Sequence, residues 1–489
     1  MLRRLGTPLF WLLLAALAVA NAVVVWQSLT VLRLWEDEAF NLTVPRNLLA
    51  GLGYASDGAL SGSTITPFDP RISTGPVVLL PIALLTALGL DPVLAGRLVP
   101  AVFWVLLLAG LWLLGRQIGG RWAGLAAAAL PLAFNTAAGV SPILGPADVL
   151  GEIPAASLLV WALLVLPRRA WLAGLLLGLA LQAKLIALLA LPAFAVALLV
   201  LGPGRGRARW LGALRRCLLP LALAAAPTVL FEFAALLSLG FPGYLDHLRN
   251  LKAFLLSGGQ HFVPTTPTEK LTALSQAWFS PGWTIVLAVA VVLIGGVVVA
   301  VSSRSPEGAA PARERAELHA IAWGAAVGLL AFVGWWAQAS HLPVWVRHPA
   351  VGVFAFAPVL AAVGVRAAQS LWRRGGARRP LAALTAAAVA APLLYGGAIH
   401  AQHGIEPIRG EGLASQRAAA APLASWVAEH DADWLAARPW GSAVVFVFLS
   451  GAHVGLFDAP TMKRTPVLTG LDCPGEVLVR SGGLKICAP

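Results

Sequence analysis

The residues with the most chemistry to offer form an acidic cluster early in the chain. Glu36, Asp37 and Glu38 follow directly after an apolar run at 9–32. A carboxylate held near a membrane surface can remove a proton from a substrate hydroxyl and so act as a general base. The cluster could equally be the solvated start of a loop, and this alternative stays open on the sequence alone.

A second acidic pair lies at Asp148 and Glu152. Residues four apart share one face of a helix, so we expect both carboxylates to face the same way. They could orient a substrate, or they could simply be acids placed favourably at a helix N-terminus.

Several cations lie within apolar runs or at their ends, namely Arg97, Lys184 and Arg347. Charged side chains in membrane segments are costly and are rarely placed there without a use. They could hold an anionic group such as phosphate. The alternatives are that the arginines anchor helices at the interface and that Lys184 snorkels to it.

The elements that carry these residues are membrane helices. Of 489 residues, 58% are hydrophobic and 12% are charged, and apolar runs of about 18 residues or more recur, as expected of membrane-spanning helices. The net charge of +13 comes from arginines in short loops rather than from a basic stripe with aromatics, which argues against a nucleic-acid partner. HExxH, P-loop and GxSxG motifs are absent from the sequence, so hydrolase and nucleotide chemistry of those types has no support.

The positions of the arginines predict the topology. Placing the basic stretches in the cytoplasm satisfies the positive-inside rule and requires an even number of crossings between neighbouring stretches; the stretches are 3–4, 116–121, 168–169, 205–216, 304–315 and 366–379. The result is an all-α polytopic protein of the bacterial cytoplasmic (inner) membrane, with its N-terminus in the cytoplasm and its C-terminus outside. The eleven predicted crossings are 9–32, 93–115, 122–138, 149–166, 170–183, 185–201, 217–239, 282–302, 319–338, 350–366 and 381–398.

The same constraint resolves two ambiguous regions. The run 171–201 has cytoplasmic flanks, so we expect a hairpin that turns near Lys184. The run 76–90 cannot cross and is predicted to be an interfacial or re-entrant helix of the first outer loop. The outer side then receives loops at 33–92, 139–148, 240–281 and 339–349. The acids and cations described above consequently fall at one depth, as a polar chamber at the outer leaflet.

The chain divides into two predicted domains. Residues 1–398 form the membrane domain, and 399–489 form a small extracytoplasmic α/β unit in which 443–448 has the composition of a strand. Cys473 and Cys487 lie in this unit, where a disulfide is chemically possible. Their spacing alone leaves the bridge undecided.

In their order, these motifs resemble those of the GT-C glycosyltransferases, in particular the bacterial relatives of protein O-mannosyltransferases and of the aminoarabinose and galacturonic acid transferases that modify lipid A. The matching segments, most of them in the first 200 residues, are Trp35-Glu36-Asp37-Glu38, Thr74-Gly75-Pro76, Asp148 to Pro154, Lys184 and Arg347-His348-Pro349. Two departures stand out: Ala183 replaces a frequent threonine, and His348 replaces a usual tyrosine.

The resemblance implies transfer of a monosaccharide from a polyprenyl-phosphate donor to an envelope acceptor (a lipid, a glycan or a protein). Its loop 33–92 would be catalytic, with Asp37 as the general base and Glu38 beside it. The donor phosphate would be held by Lys184, Arg97 and Arg347.

Asp148, Glu152 and His261 would orient the acceptor or bind a divalent metal ion, and the sequence does not decide whether a metal takes part. A transporter or a lipid or glycan flippase is the main alternative, but such proteins place substrate groups near the bilayer midplane, often within paired repeats. The sequence shows neither feature. A non-catalytic scaffold gives no reason for acids and bases to share one depth.

Overall fold

The computed structural model describes residues 2–58, 62–134, 143, 145–202, 206–257, 264–277, 289–291, 293–297, 312–405, 412–438, 441–473 and 475–489. Apolar runs form most of its helices. The first eight helices are α1 Leu2–Thr30, α2 Glu36–Leu49, α3 Pro76–Ala87, α4 Pro92–Gly119, α5 Arg121–Ala133, α6 Glu152–Val165, α7 Ala170–Ala183 and α8 Leu191–Leu201. A 3₁₀ helix at Leu185–Ala190 leads into α8.

The remaining helices of the apolar part are α9 Gly206–Ser257, α10 Pro267–Ala277, α11 Ala312–Gln338, α12 Arg347–Arg374 and α13 Arg379–Ile405. Residues 289–291 and 293–297 are also helical, and the rest of the predicted crossing 282–302 lies outside the described residues. Six of the described helices are long and apolar enough to cross a membrane. The chain is therefore a multi-pass helical membrane protein, and the count of eleven crossings stays a prediction.

The predicted outer loop 240–281 contains two helical stretches. Helix α9 continues to Ser257 after a break at Gly240, where φ is +67°, a backbone conformation that glycine adopts at little cost. Helix α10 also lies within the predicted loop. Polar residues such as Asp246 and Arg249 made this stretch resemble a loop, although they are the exposed side of a helix.

The predicted change of direction at Lys184 coincides with the end of α7. Lys184 is extended, with φ −154° and ψ 117°, and it pairs with Thr74 of the first loop as an isolated β-bridge. The helices on the two sides of Lys184 pack against different partners. Helix α7 packs on α6 and α9, whereas α8 packs mainly on α11.

The first loop, 33–92, is itself folded. Helix α2 is followed by two short antiparallel strands, β1 Ala55–Ser56 and β2 Thr66–Pro67. Helix α3 begins at Pro76, where proline is tolerated because the first turn lacks intrahelical N–H partners. It covers most of the run 76–90 that was predicted to be a non-crossing helix.

The α/β unit was predicted for 399–489, but α13 continues to Ile405; the described residues within 412–489 are called the C-terminal unit below. It contains α14 Leu413–Glu429, α15 Ala443–Leu449 and a mixed sheet in the order β4-β3-β5-β7-β6. The strands are β3 Trp434–Ala437, β4 His453–Leu456, β5 Val467–Thr469, β6 Val477–Ser481 and β7 Leu484–Cys487.

The prediction of a strand at 443–448 is wrong, since these residues form most of α15. Every side chain from Ala443 to Phe448 is buried, because the helix packs on both the sheet and α2. A short continuous apolar run cannot be assigned to strand or helix by periodicity. A disulfide joins Cys473 and Cys487, whose Cα atoms are 5.6 Å apart.

Candidate active site

The start of α2 distributes its three acids to opposite sides. The backbone N–H of Trp35 donates to Glu38 Oε2 at 3.3 Å, which closes the first turn of the helix. Successive residues of a helix point about 100° apart, so Glu36 and Asp37 line a cavity while Glu38 faces the protein interior. The predicted acidic cluster therefore has two different roles.

Glu38 forms a buried ion pair with Arg97 of α4. The Arg97 side chain donates to the two Glu38 oxygens at 3.2 and 3.0 Å, and both side chains are 0% exposed. The same guanidinium also donates to the backbone oxygens of Leu32 and Arg33, each at 2.8 Å. All three of its nitrogens are thus engaged, which leaves no surface for a ligand.

The expectation that Arg97 binds a donor phosphate is therefore corrected by its position. Arg97 fixes the segment that leads into α2, and Glu38 receives a further bond from the Val149 N–H at 3.2 Å. This network joins α4, α2 and the turn before α6, so both residues act through the position of α2.

Asp37 and Arg347 meet across the cavity. Helix α12 begins at Arg347, and its guanidinium pairs with the Asp37 carboxylate. The guanidinium carbon also lies 5.5 Å from the ring centre of Trp35 and 4.7 Å from that of Trp345. Cation–π contacts of this kind hold an arginine in a fixed orientation. The sequence placed Asp37 and Arg347 at one depth, and the structure brings them into contact.

Lys184 forms a second ion pair, with Glu152 at the first residue of α6. Its Nζ lies 2.9 Å from Glu152 Oε1 and donates to Ser73 Oγ at 2.8 Å. Glu152 is only 2% exposed, and its Oε2 has no hydrogen-bond partner among the described residues. A buried carboxylate oxygen with free acceptor capacity can receive a bond from a substrate hydroxyl.

Two glycines let the Lys184 segment approach its neighbours. A Cβ on Gly151 would lie 2.1 Å from the Ala183 oxygen, and one on Gly75 would lie 2.0 Å from the Gln182 oxygen. Only a residue without a side chain fits at such distances. The Gly75 N–H uses this approach to donate to the Ala183 oxygen at 3.1 Å.

The sequence did not reveal Arg71, a third cation of the cavity beside Lys184 and Arg347. It lines the cavity and donates to Asp69 Oδ1 at 2.7 Å, while Asp69 Oδ2 accepts from Ser56 at 2.8 Å. Ser73 was missed as well. Both belong to the irregular part of the first loop, where neither hydropathy nor periodicity gives a signal.

The cavity encloses about 560 Å³, and its lining combines charged and apolar side chains. The charged lining residues are the carboxylates and cations named above, and they are accompanied by His348, whose Nδ1 is buried without a described partner. The apolar lining residues come from the segment after Lys184, from α9, from α11 and from the turn before α12; they include Leu185, Ile186, Leu189, Phe254, Leu255, Trp335 and Leu342. Such a cavity fits a ligand that has both a charged group and an apolar chain.

The other predicted site residues lie elsewhere. Asp148 precedes α6 instead of sharing a helical face with Glu152, and it is near enough to Arg97 to attract it electrostatically. His261 lies outside the described residues. Within the described ranges, no group of three or more His, Cys, Asp or Glu side chains is arranged to hold a metal ion.

Comparisons with known proteins agree with this architecture. The structure matches ArnT from Cupriavidus metallidurans in the apo state, with a TM-score of 0.55 and 13% identity over 98% of this chain and 97% of that one. This likeness shows that the two chains share a fold.

ArnT from the same organism bound to undecaprenyl phosphate matches with a TM-score of 0.47 and 15% identity, over 98% of this chain and 97% of that one. The Archaeoglobus fulgidus oligosaccharyltransferase matches with a TM-score of 0.47 and 16% identity, over 94% of this chain and 59% of that one. No protein-family model matches the sequence, and no curated protein matches it.

Proposed function

We propose that the protein transfers a monosaccharide (a hexosyl or pentosyl group) from a polyprenyl-phosphate-linked donor to a hydroxyl of an envelope acceptor. One observation carries the proposal: the pairs Asp37–Arg347 and Lys184–Glu152 line the same cavity as a set of apolar side chains. A lipid-linked sugar phosphate has the matching parts, because its phosphate is anionic and its chain is apolar.

Lys184 and Arg347 are the groups that we assign to the donor phosphate, with Arg71 beside them. As the bond between C1 of the sugar and the phosphate oxygen breaks, negative charge grows on the phosphate. Cations fixed in a partly desolvated site stabilise that charge more than water does. The indoles of Trp35 and Trp345 would keep Arg347 in place during this change.

Asp37 is the proposed general base. It takes the proton from the acceptor hydroxyl while the hydroxyl oxygen forms a bond to C1, and the electron pair of the C1–oxygen bond leaves with the polyprenyl phosphate. The anomeric centre is inverted in this step. Glu152 Oε2, which has a free acceptor position, is suited to orient a hydroxyl of the acceptor or of the sugar.

Before the donor binds, Asp37 is paired with Arg347, so its carboxylate is engaged with the guanidinium. An arriving phosphate competes with Asp37 for the same guanidinium. We propose that this exchange frees Asp37 when the donor is in place, so that its carboxylate can reach the acceptor hydroxyl only in the loaded site.

The reaction is assigned to the outer face of the bacterial cytoplasmic membrane. The basic stretches support this orientation, because their placement in the cytoplasm puts the first loop and the C-terminal unit outside. A donor carried on a membrane lipid also explains why the chain needs no nucleotide-binding motif.

The test is sugar transfer by purified protein in lipid nanodiscs. Polyprenyl-phosphate-linked hexoses, uronic acids and aminopentoses are offered with an envelope extract, and release of polyprenyl phosphate is followed together with the mass of the product. Asp37→Asn should abolish transfer while the protein stays folded. Asp91→Asn is the matched control, because Asp91 forms an exposed pair with Arg417 at 2.5 Å and does not line the cavity.

Normal transfer by Asp37→Asn would refute the assigned base. Movement of an intact lipid-linked sugar across proteoliposomes, without cleavage of its C1–oxygen bond, would instead identify the protein as a flippase.

A further inference from the structure

The C-terminal unit holds the segment that leads into α2. The N–H of Leu34 donates to Gln416 Oε1 at 2.7 Å, and Gln416 Nε2 donates to the Leu34 oxygen at 3.0 Å. Gln416 is 0% exposed. The Leu413 N–H adds a bond to the Val31 oxygen at 3.1 Å. One side-chain amide therefore satisfies both backbone groups of a residue three positions before Asp37.

The same unit also holds the other end of α2. Arg46, in the last turn of the helix, donates to the Ala452 oxygen at 2.9 Å and to Asp57 Oδ2 at 2.7 Å. Its guanidinium carbon lies 5.2 Å from the ring centre of Phe448. Helix α15, to which Phe448 belongs, packs along α2.

Asp57 completes the second contact from the first loop. It is 0% exposed, and it accepts the Val454 N–H at 2.7 Å and an Asn47 N–H at 2.8 Å. His453 Nδ1 lies 3.1 Å from Asp57 Oδ1. Strand β4 is thus joined to the first loop through a buried carboxylate whose bonds are all made by fixed partners.

From these contacts we infer that the C-terminal unit sets the position of Asp37, and that Gln416 is a positioning residue for the reaction. The inference rests on the proposed function. Helix α2 has 14 residues, about 21 Å at 1.5 Å per residue, and the unit contacts it at both ends. A shift of about 1 Å at a reacting group lowers a rate by roughly a hundredfold. Loss of the contacts at one end of α2 should therefore reduce turnover while the cavity persists.

The test compares Gln416→Leu with Arg417→Gln. Leucine keeps most of the volume of glutamine and removes both bonds to Leu34. Arg417 is next in sequence on the same helix, but it pairs with the exposed Asp91 and not with α2. Transfer by each nanodisc preparation is measured as kcat, binding of undecaprenyl phosphate as Kd, and folding as Tm.

For Gln416→Leu we expect kcat to fall by about tenfold to a hundredfold, with a Kd within twofold of the wild type. Arg417→Gln should keep both values. A merely structural residue would instead lower the amount of folded protein and leave kcat per folded molecule unchanged.

His453→Gln provides a second variant, since His453 is partly exposed and its replacement leaves Asp57 three other partners. For this variant we expect a fall in kcat that is smaller than for Gln416→Leu, again with a Kd for undecaprenyl phosphate within twofold of the wild type. The inference is overturned if Gln416→Leu or His453→Gln turns over at the wild-type rate while the wild type itself transfers sugar. Absence of transfer by the wild type would refute the proposed function, and this inference with it.

Discussion

Replacement of Asp37 by asparagine should strengthen the binding of polyprenyl phosphate even though it abolishes transfer. In the empty cavity the Asp37 carboxylate occupies Arg347, so an incoming phosphate has to displace an anion. Asparagine has nearly the same shape without the charge. The variant therefore offers Arg347 to the phosphate with no carboxylate competing for it.

The size of the effect follows from charge and burial. Asp37 and Arg347 are 19% and 14% exposed, so neither is fully screened by water. Two like charges about 5 Å apart at an effective dielectric constant of about 20 repel by about 3 kcal/mol. Part of this repulsion is relieved as the carboxylate moves away from the phosphate. We expect a gain of about 1.4 kcal/mol or more, which is a tenfold lower Kd.

The assay is titration of undecaprenyl phosphate into protein in nanodiscs at fixed salt, followed by native mass spectrometry or by competition with a fluorescent prenyl phosphate. Asp91→Asn again serves as the control and should bind as the wild type does. Unchanged or weaker binding by Asp37→Asn would refute the exchange of carboxylate for phosphate, and loss of transfer by the same variant would still support Asp37 as the base.

The buried pair, the glycine contact and the loop carboxylate each give a further test. Glu38→Gln removes the hydrogen-bonded carboxylate partner of the buried Arg97, so the protein should lose about 3 to 5 kcal/mol of stability, measured as a lower Tm and poorer yield. Gly151→Ala forces Ala183 to move and should weaken prenyl phosphate binding, whereas alanine at Gly397, which has open space around it, should not. Burial alone would raise the pKa of Asp57, but His453, Arg46, the Val454 N–H and Asn47 together hold that pKa below its ordinary value. Its stabilisation of the C-terminal unit should therefore be complete above about pH 4 and be lost as the pH falls through the lowered pKa, which hydrogen exchange in β4 can follow and Asp57→Asn should abolish.

Hydropathy predicted apolar helices that the structure describes, because this signal is local. Helix α7 ends at Ala183 and the chain becomes extended at Lys184, where a polar residue interrupts the apolar run. Arginines flank the run 171–201 on both sides, so it had to contain a turn. Lys184 interrupts the run, which is why the turn could be located there.

Contacts between distant segments could not be predicted in the same way. Glu38 and Arg97 are 59 positions apart, and Asp37 and Arg347 are 310 apart. All four were expected at one depth, but depth does not specify the direction in which a side chain points around its helix. Arg97 therefore had the same sequence signal as Arg347, although it points into the interior instead of the cavity.

Uncharged residues gave still less information. Gln416 lies in a tail of ordinary soluble composition, and its two bonds to Leu34 span 382 positions. The run 443–448 was misassigned because its β-branched and aromatic residues suit a strand. Its burial on all sides by the sheet and α2 is a tertiary effect that outweighs this propensity.

The pairing of cations inside the cavity has a consequence for discrimination among phosphate compounds. Of the cavity-lining residues that the structure describes, Arg71, Lys184 and Arg347 are cations, and each is already matched by a carboxylate. A water-soluble phosphate must break such a pair and receives little in return. A prenyl chain adds about 0.8 kcal/mol for every CH₂ group that the apolar side chains of the cavity remove from water. Under the proposed function, the internal anions would therefore favour binding of amphiphilic ligands over free phosphate esters.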